Sequence, residues 1–344
     1  MQRSRLEPES LILDRPAATP QAMKAAVYYE TGDPSVFRYE DVPDPECGPG
    51  MVLIEVQAIS IEGGDTLNRA GGQMTGRPHI VGYQCGGVVR AVGEGTRDRA
   101  VGQTVVAVMP QGSHAALVSV PAGTTWVVPD GLDVRRAACV PIPFGTADDC
   151  LFEFGRLKAG ETALIHAGAG GVGIAAIQLA KRAGATVLAT ASSEAKLERL
   201  KPLGLDHGIN YRDGDFVAAV RSLTGGAGAD VIVDPVGGRT LEGSIEALAY
   251  RGRIAYVGSA GRDAYRANPD ALRPGNKSLI GIFLGAELVM QHARVHGMIG
   301  RHLADLAAGT LQVVIDREYP LRDAAAAHAY IESRESVGRV LLIP

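Results

Sequence analysis

Residues 162–173 read Thr-Ala-Leu-Ile-His-Ala-Gly-Ala-Gly-Gly-Val-Gly, a short apolar run that ends in a cluster of glycines. Gly168, Gly170 and Gly173 form a G-x-G-x-x-G pattern, and an alanine-rich stretch follows over residues 174–184. A strand, a glycine turn and a helix in this order seat the pyrophosphate of a dinucleotide, because the turn and the helix N-terminus present free backbone N–H groups. The pattern predicts cofactor binding by Gly168, Gly170, Gly171, Val172 and Gly173.

The glycine pattern alone is weak support, because 44 glycines in 344 residues produce such spacings by chance. Its context strengthens it, since further apolar runs alternate with helical stretches along the chain. Alternation of this kind indicates a parallel, doubly wound α/β sheet of the Rossmann type. The predicted strands are 162–167, 185–191, 207–211, 230–234, 253–258 and 278–284, and the predicted helices include 144–154 and 288–308.

The chain before this sheet has a different texture, with short strands broken by Gly and Pro. Strands predicted at 24–29, 52–60, 86–92 and 103–108 indicate a β-rich, barrel-like domain. We divide the chain into a catalytic domain over residues 23–145, completed by residues 310–344, and a nucleotide-binding domain over residues 146–309. Residues 1–22 are polar and contain three prolines and several acids, so we expect a flexible extension rather than a signal or transit peptide.

Composition narrows the class of protein. The net charge of −4 argues against nucleic acid as the main partner, and no apolar stretch reaches membrane-spanning length. The four cysteines, Cys47, Cys85, Cys139 and Cys150, show no C-x-x-C spacing, which favours a reducing cytoplasm and gives no cysteine-built zinc site.

Several motifs together resemble a known family. They are residues 166–173, residues 204–212, residues 234–237, and Glu332-Ser333-Arg334 with Gly338. In this order they are similar to the medium-chain dehydrogenase/reductase superfamily, and within it to the zinc-free quinone oxidoreductases related to zeta-crystallin. The resemblance covers about residues 23–344. It implies a GroES-like barrel domain, a Rossmann domain and one NADPH molecule in the cleft between them.

The residues at the metal positions of the zinc-dependent relatives are not zinc ligands here. Glu62 stands in the place of the early cysteine, Tyr83 and Gln84 stand in the place of the His-Glu pair, and residues 141–145 contain no Cys or His. The four-cysteine lobe that holds a structural zinc in those relatives is also missing. Because zinc needs several anionic or imidazole ligands, we predict that the protein binds no metal.

The second predicted Rossmann strand favours NADPH over NADH. NAD enzymes carry an acid at its end to hold the ribose 2′-hydroxyl. Here the strand ends in Ala191 and is followed by Ser192 and Ser193, while Lys196 lies one helical turn further on and could pair with a 2′-phosphate. The resemblance adds Tyr211 beside the adenosine phosphate and Arg334 from the C-terminal segment. In the alternative interpretation Lys196 is only a solvated helix residue and Glu194 discourages a phosphate.

The resemblance also places residues around the nicotinamide. Thr146 would lie near the ring, and further cofactor contacts would come from Val236, Val257, Gly258, Ser259, Ala260, Phe283 and Leu284.

Tyr83 and Glu62 are the candidate catalytic residues. The Tyr83 hydroxyl could donate a proton or a hydrogen bond to a carbonyl oxygen, or it could be a partly buried phenol with a local partner. Glu62 departs from the asparagine usual in quinone reductases, and Leu67 replaces a nearby tyrosine of that family. Glu62 is therefore either a pocket acid or a solvated loop residue. Asp65 is expected to hold its own loop, and His166 to be a satisfied core residue.

These observations predict an NADPH-dependent reductase of a quinone or a conjugated carbonyl. Two alternatives remain: an enoyl or alkenal reductase of a biosynthetic pathway, and a nicotinamide-binding sensor, RNA-binding or structural protein with little catalysis. By resemblance the protein forms a homodimer through the apolar edge strand 277–284, unless helices of the same chain cover that strand.

Overall fold

A computed structural model describes residues 22–344 of the chain. The extension predicted over residues 1–22 therefore lies outside the described residues, apart from Ala22, which begins the first strand.

The described chain contains the following strands and helices. The strands are β1 (Ala22–Val27), β2 (Arg38–Pro43), β3 (Met51–Ser60), β4 (Gln84–Val92), β5 (Thr104–Val108), β6 (Leu117–Pro121), β7 (Thr125–Val127), β8 (Thr162–Ile165), β9 (Thr186–Ala191), β10 (His207–Asn210), β11 (Ala229–Asp234), β12 (Leu248–Tyr256), β13 (Ser278–Gly281), β14 (Ile315–Pro320) and β15 (Arg339–Ile343). The α-helices are α1 (Gly63–Gly71), α2 (Val134–Ala137), α3 (Pro141–Asp148), α4 (Gly171–Arg182), α5 (Glu194–Leu200), α6 (Phe216–Leu223), α7 (Arg239–Ala247), α8 (Leu284–Met290), α9 (His292–Ala307) and α10 (Ala324–Glu332). A π-helical turn, Asp149–Glu153, continues α3.

Six parallel strands form the predicted doubly wound sheet, in the order β10-β9-β8-β11-β12-β13. The central strands are buried on both faces, as Ala163, Leu164 and Ile165 of β8 illustrate. The strand order reverses between β8 and β11, so a crevice opens beyond their carboxyl ends. The fold class predicted from the sequence is confirmed.

Some predicted boundaries were wrong. The strand predicted over residues 278–284 ends at Gly281, because Leu284 already begins α8. The helix predicted over residues 288–308 is two helices, α8 and α9, which meet at Gln291. Strand β8, predicted over residues 162–167, ends at Ile165. It does not reach Ala167, because Ala167 adopts a left-handed backbone with φ of 50° at the entrance of the glycine turn.

The second large sheet has the order β14-β15-β3-β4-β5-β7, with β6 also paired to β3. Its register places Leu341 of β15 opposite Ser60 of β3, so the end of the chain pairs with a strand from its first third. The domain boundaries at residues 145 and 309 remain our own division of the chain.

Helix α3 joins the two sheets. Phe144 of α3 belongs to an apolar cluster that draws on both sheets. Val106 and Trp126 come from the second large sheet, and Ile165 and Val233 come from the parallel sheet. Burial of this continuous cluster stabilises the contact between the two halves and holds α3 beside the crevice.

Candidate cofactor-binding and active site

The glycine turn joins β8 to α4 at the carboxyl edge of the parallel sheet. Gly168 donates its backbone N–H to the Thr190 carbonyl at 2.9 Å, which fixes the turn against β9. A Cβ on Gly168 would lie 2.8 Å from the Ala189 Cβ, and a Cβ on Gly173 would lie 2.7 Å from the Gly168 Cα. Both positions therefore need glycine for close packing of helix α4 on the strands.

A cavity of about 750 Å³ opens over this turn. Its walls come from the turn itself, the ends of β9 and β11, helix α1, the loop after β12, and the chain from the end of α10 onward. The volume lies within the range of about 300–1,000 Å³ that is typical of small-molecule sites.

The cavity brings together residues that are far apart in the sequence. The predicted cofactor residues that line it are Gly170, Ser192, Lys196, Tyr211, Val236, Ala260 and Arg334. The remaining predicted cofactor residues lie outside its lining: Thr146, Gly168, Gly171, Val172, Gly173, Ser193, Val257, Gly258, Ser259, Phe283 and Leu284. Among these, Ser193 caps helix α5, because its hydroxyl accepts the Lys196 backbone N–H at 3.4 Å.

Lys196 is tethered to the C-terminal segment. Its Nζ donates to the carbonyl oxygens of Arg334 at 2.5 Å and Ser336 at 3.3 Å. Partial burial of the ammonium, with Arg212 nearby, lowers the Lys196 pKa. Lys196 is therefore not a freely solvated side chain, because its amine lies at the cavity wall and binds the backbone between α10 and β15. Its pairing with a 2′-phosphate stays a prediction.

Two further cationic residues were missed by the sequence analysis. Arg239 and Arg262 line the cavity with Lys196 and Arg334, while Asp263 and Glu332 are the acidic residues of the lining. Four basic side chains against two acidic ones leave an excess of two positive charges, which favours an anionic ligand. Nothing in the local sequence distinguishes Arg239 or Arg262 from surface arginines. Arg239 reaches the cavity from the first turn of α7, and Arg262 reaches it from the loop after β12.

Leu284 packs against α3 at Gly145, the residue next to Thr146. Thr146 is buried on α3, and a Cβ on the neighbouring Gly145 would lie 2.9 Å from Leu284 Cδ2. Phe283, in contrast, is 74% exposed. Leu284 thus packs inward against α3, whereas its neighbour points toward solvent.

Tyr83 has a local partner. Its hydroxyl oxygen accepts a hydrogen bond from Asn68 Nδ2 at 2.5 Å, and its ring lies against Gly64 at the start of α1. Burial, with Asp65 nearby, raises the Tyr83 pKa to about 12. The phenol is therefore neutral over the ordinary pH range and keeps its proton for donation.

Glu62 is buried, so the interpretation as a solvated loop residue is wrong. Its Oε1 accepts hydrogen bonds from Gln84 Nε2 and from Arg339 Nη2. Arg339 also donates to Ser60 Oγ at 2.7 Å and to the Ile61 carbonyl at 2.6 Å. Burial raises the Glu62 pKa to about 7, although the Arg339 guanidinium opposes this shift. Glu62 is thus an acid that faces an arginine.

Asp65 and His166 hold structure together. Asp65 Oδ2 accepts the Glu62 backbone N–H at 2.8 Å, and burial raises the Asp65 pKa. The His166 ring lies 3.1 Å from Thr190 Oγ1 and 3.0 Å from Ser244 Oγ, and burial lowers its pKa. His166 touches the cavity wall as a neutral ring with both nitrogens engaged.

Comparison with known proteins decides the family. Residues 48–130 match the model of the alcohol dehydrogenase GroES-like domain, and residues 171–299 match the model named zinc-binding dehydrogenase. The chain is 35% identical over 338 residues to 2-haloacrylate reductase of a Burkholderia species, which covers 93% of this chain and 98% of that protein. The chain belongs to the medium-chain dehydrogenase/reductase superfamily.

Solved structures of this superfamily have the same fold. A quinone oxidoreductase of Pseudomonas syringae pv. Tomato DC3000 superposes with a TM-score of 0.88 at 30% identity, covering 94% of this chain and 100% of that one. A mycobacterial protein complexed with NADPH also superposes with a TM-score of 0.88, at 33% identity and the same coverage. The GroES-like and Rossmann assignments are confirmed, and like these relatives the chain is an oxidoreductase.

The superfamily includes zinc enzymes, and the side chains at the zinc-ligand positions decide whether this chain could hold the metal. Glu62, in the place of a zinc ligand, is already paired with a guanidinium, and the neighbouring Tyr83 is a neutral phenol. A cation beside the carboxylate repels a second cation, so this donor set does not suit zinc. Within residues 22–344 no group of three His, Cys, Asp or Glu side chains is placed to hold a metal ion.

Over residues 22–344, no helix combines the length and the apolar character that crossing a membrane requires.

Proposed function

We propose that this protein is a zinc-independent, NADPH-dependent reductase of a quinone or a conjugated carbonyl compound. The observation that carries the proposal is the cavity over the glycine turn, with Lys196, Arg239, Arg262 and Arg334 in its wall. Such a cavity suits a dinucleotide with an additional phosphate, and the mycobacterial relative was solved with NADPH.

The residues of the chain fit this cofactor in a definite order. Backbone N–H groups at the start of α4 would bind the pyrophosphate, since α4 begins at Gly171 directly after the turn. Lys196 and Arg334 would hold the 2′-phosphate, and Thr146 and Leu284 would position the nicotinamide. When bound, the nicotinamide supplies the hydride.

The substrate side would orient and polarise a carbonyl oxygen. An electron-poor alkene or a quinone accepts hydride at carbon and gathers negative charge on its oxygen, which then takes up a proton. Tyr83 would donate a hydrogen bond to that oxygen; in support, Asn68 donates to the phenolic oxygen and so leaves the phenolic proton available. Glu62 would orient the loop before α1 through Arg339 rather than meet the substrate.

A second candidate is reduction of a conjugated alkene, as in an enoyl or alkenal reductase of a biosynthetic pathway. It is favoured by the similarity to 2-haloacrylate reductase, whose name specifies an activated alkene.

A substrate panel tests these proposals. The rate of NADPH oxidation should be measured with quinones, with enones and with 2-chloroacrylate. Each compound is given at saturating concentration to the wild-type chain and to Lys196→Ala. Turnover of quinones or enones supports the first candidate, and turnover of 2-chloroacrylate alone supports the second. NADPH binding without turnover of any compound would overturn both in favour of a sensor or structural protein.

The assembly and location complete the proposal. Among the described residues β13 pairs only with β12, and Leu279 in this edge strand is 37% exposed. Phe283, Val289 and Met290 add exposed apolar surface just beyond it. A symmetric homodimer would cover this edge strand. We propose the cytoplasm as the location of the protein. Light scattering should give twice the chain mass for the wild type and a monomer for Leu279→Lys, whereas a monomeric wild type would remove this interface.

A further inference from the structure

We propose that Arg262 is an exchangeable phosphate ligand of the cavity, held by Glu332 when no phosphate is bound and released from it when a nucleotide phosphate enters. The inference rests on the proposed function, and deepens it by assigning a contact to a residue outside the glycine turn. The observation behind it is one carboxylate at the cavity wall, that of Glu332, which accepts hydrogen bonds from two arginines.

Glu332 stands at the end of α10, and its Oε1 accepts hydrogen bonds from both Arg69 Nη2 and Arg262 Nη2, the latter at 2.6 Å. Arg69 lies on α1 and Arg262 on the loop after β12. The group of three therefore crosses the cleft between the two sheets. It carries two positive charges and one negative charge, so one positive charge is left without a counter-charge in the group.

The two arginines differ in their freedom to leave the carboxylate. The side chain of Arg69 is 1% exposed, and it also donates to the Gly32 carbonyl at 2.5 Å. The side chain of Arg262 is 43% exposed, and within the described chain Glu332 is its one hydrogen-bond partner. If one guanidinium leaves, it is therefore Arg262, and Glu332 keeps a counter-charge in Arg69.

The position of Arg262 suits an anion in the cavity. Arg262 and Glu332 both line it, together with Arg334. Arg262 and Arg334 have left-handed backbones, with φ of 58° and 60°, and Arg334 Nη2 donates to the Gly261 carbonyl beside Arg262 at 3.2 Å. Non-glycine residues in this region of φ are uncommon and cluster at ligand clamps and switches. A phosphate that offers Arg262 two oxygens replaces the single contact to Glu332 with a bidentate one.

The test compares two variants whose effects should have opposite signs. Arg262→Gln removes the phosphate ligand, so NADPH binding, measured by titration of nicotinamide fluorescence, should weaken about tenfold. Glu332→Gln removes the competitor for Arg262, so binding should tighten, by about threefold. The matched control is Arg266→Gln, which makes the same charge change at an exposed position of the same loop outside the cavity lining and should leave the affinity within about twofold.

Other results overturn the inference. If Arg262→Gln and Glu332→Gln weaken binding equally, the pair merely ties the two sheets together. If Glu332→Gln fails to fold because Arg69 loses its counter-charge, Arg262→Lys replaces it: a smaller loss than for Arg262→Gln supports a charge contact, and an equal loss contradicts it.

Parallel titrations with NADH identify which phosphate is bound. A loss with NADPH alone assigns the contact to the 2′-phosphate, and a loss with both assigns it to the pyrophosphate; either result supports the inference. A wild-type protein that does not bind NADPH overturns the proposed function itself. A wild type that binds, with Arg262→Gln unchanged, overturns only the role of Arg262.

Discussion

Polar side chains at the predicted cofactor end of the cleft line an open cavity, whereas Glu62 and Tyr83, at the predicted catalytic end, lie outside its lining. Lys196, Arg334 and Arg262 stand in the wall of a cavity of about 750 Å³. The Glu62 carboxyl group, in contrast, accepts hydrogen bonds from Arg339 and Gln84. The Tyr83 oxygen accepts one from Asn68. From this difference we expect the charges around the cavity to set the strength of nucleotide binding, and the predicted catalytic side to act as a rigid frame with few free groups.

The buried ion pair of the catalytic end gives the largest expected effect. Arg339→Met leaves the Glu62 carboxylate buried without its counter-charge, so the free energy of unfolding at pH 8 should fall by about 3–5 kcal/mol. Urea denaturation measures this change. The double variant Glu62→Gln with Arg339→Met should recover much of the loss, and a double variant as unstable as Arg339→Met would show that the charge is not the cause.

The same acid should make stability depend on pH. The Glu62 pKa rises from 4.5 to about 7 on folding, so the folded state holds a proton that the unfolded state has released between these values. Stability therefore falls as pH rises through 4.5–7, by up to about 3 kcal/mol from this group. Glu62→Gln should flatten that part of the pH profile of unfolding relative to the wild type. Parallel profiles for the two proteins would show that Glu62 does not titrate there.

At the cofactor end, Lys196→Ala should weaken NADPH binding about tenfold or more, because a charged hydrogen bond to phosphate contributes about 1.5–3 kcal/mol. The affinity for NADH should barely change, and isothermal titration with both nucleotides measures the difference. Equal losses would mean that Lys196 acts by holding the carbonyls of Arg334 and Ser336 rather than by reading the phosphate.

Tyr83→Phe tests the group at the catalytic end that keeps a free proton. Loss of one hydrogen bond to the substrate oxygen corresponds to about 0.5–1.5 kcal/mol, so kcat should fall about three- to tenfold. The Kd for NADPH should stay the same, which separates this effect from those of the cofactor end. An unchanged kcat would leave Tyr83 as a phenol that only packs on Gly64 and pairs with Asn68.

The smallest expected effect is that of metal removal. Because an ion pair fills the place of a zinc ligand, exhaustive chelation should leave the rate and the melting temperature unchanged. Stoichiometric zinc in protein purified without a tag would contradict this.

Much of the cofactor end was predictable from local sequence. The glycine turn is a continuous pattern, and Lys196 follows closely after the second strand of the parallel sheet. Both could therefore be located from the sequence. Arg262 and Arg239 could not, because their place at the cavity depends on how the loop after β12 packs against α10 and against the start of α7, where Arg239 lies. The partner of Glu62 was also hidden, since Arg339 lies 277 residues further along the chain.

The sequence by itself therefore determined the order of strands and helices, the doubly wound sheet, the glycine turn and the absence of an acid at the end of β9. These properties depend on residues close together in the chain, whose backbone preferences and apolar periodicity act locally. Only the tertiary structure decided that Glu62 is buried against Arg339, that Lys196 holds the C-terminal segment and that Glu332 joins two arginines across the cleft. Pairings of this kind follow from the docking of distant segments, because charges buried by that docking must find partners wherever packing brings them together.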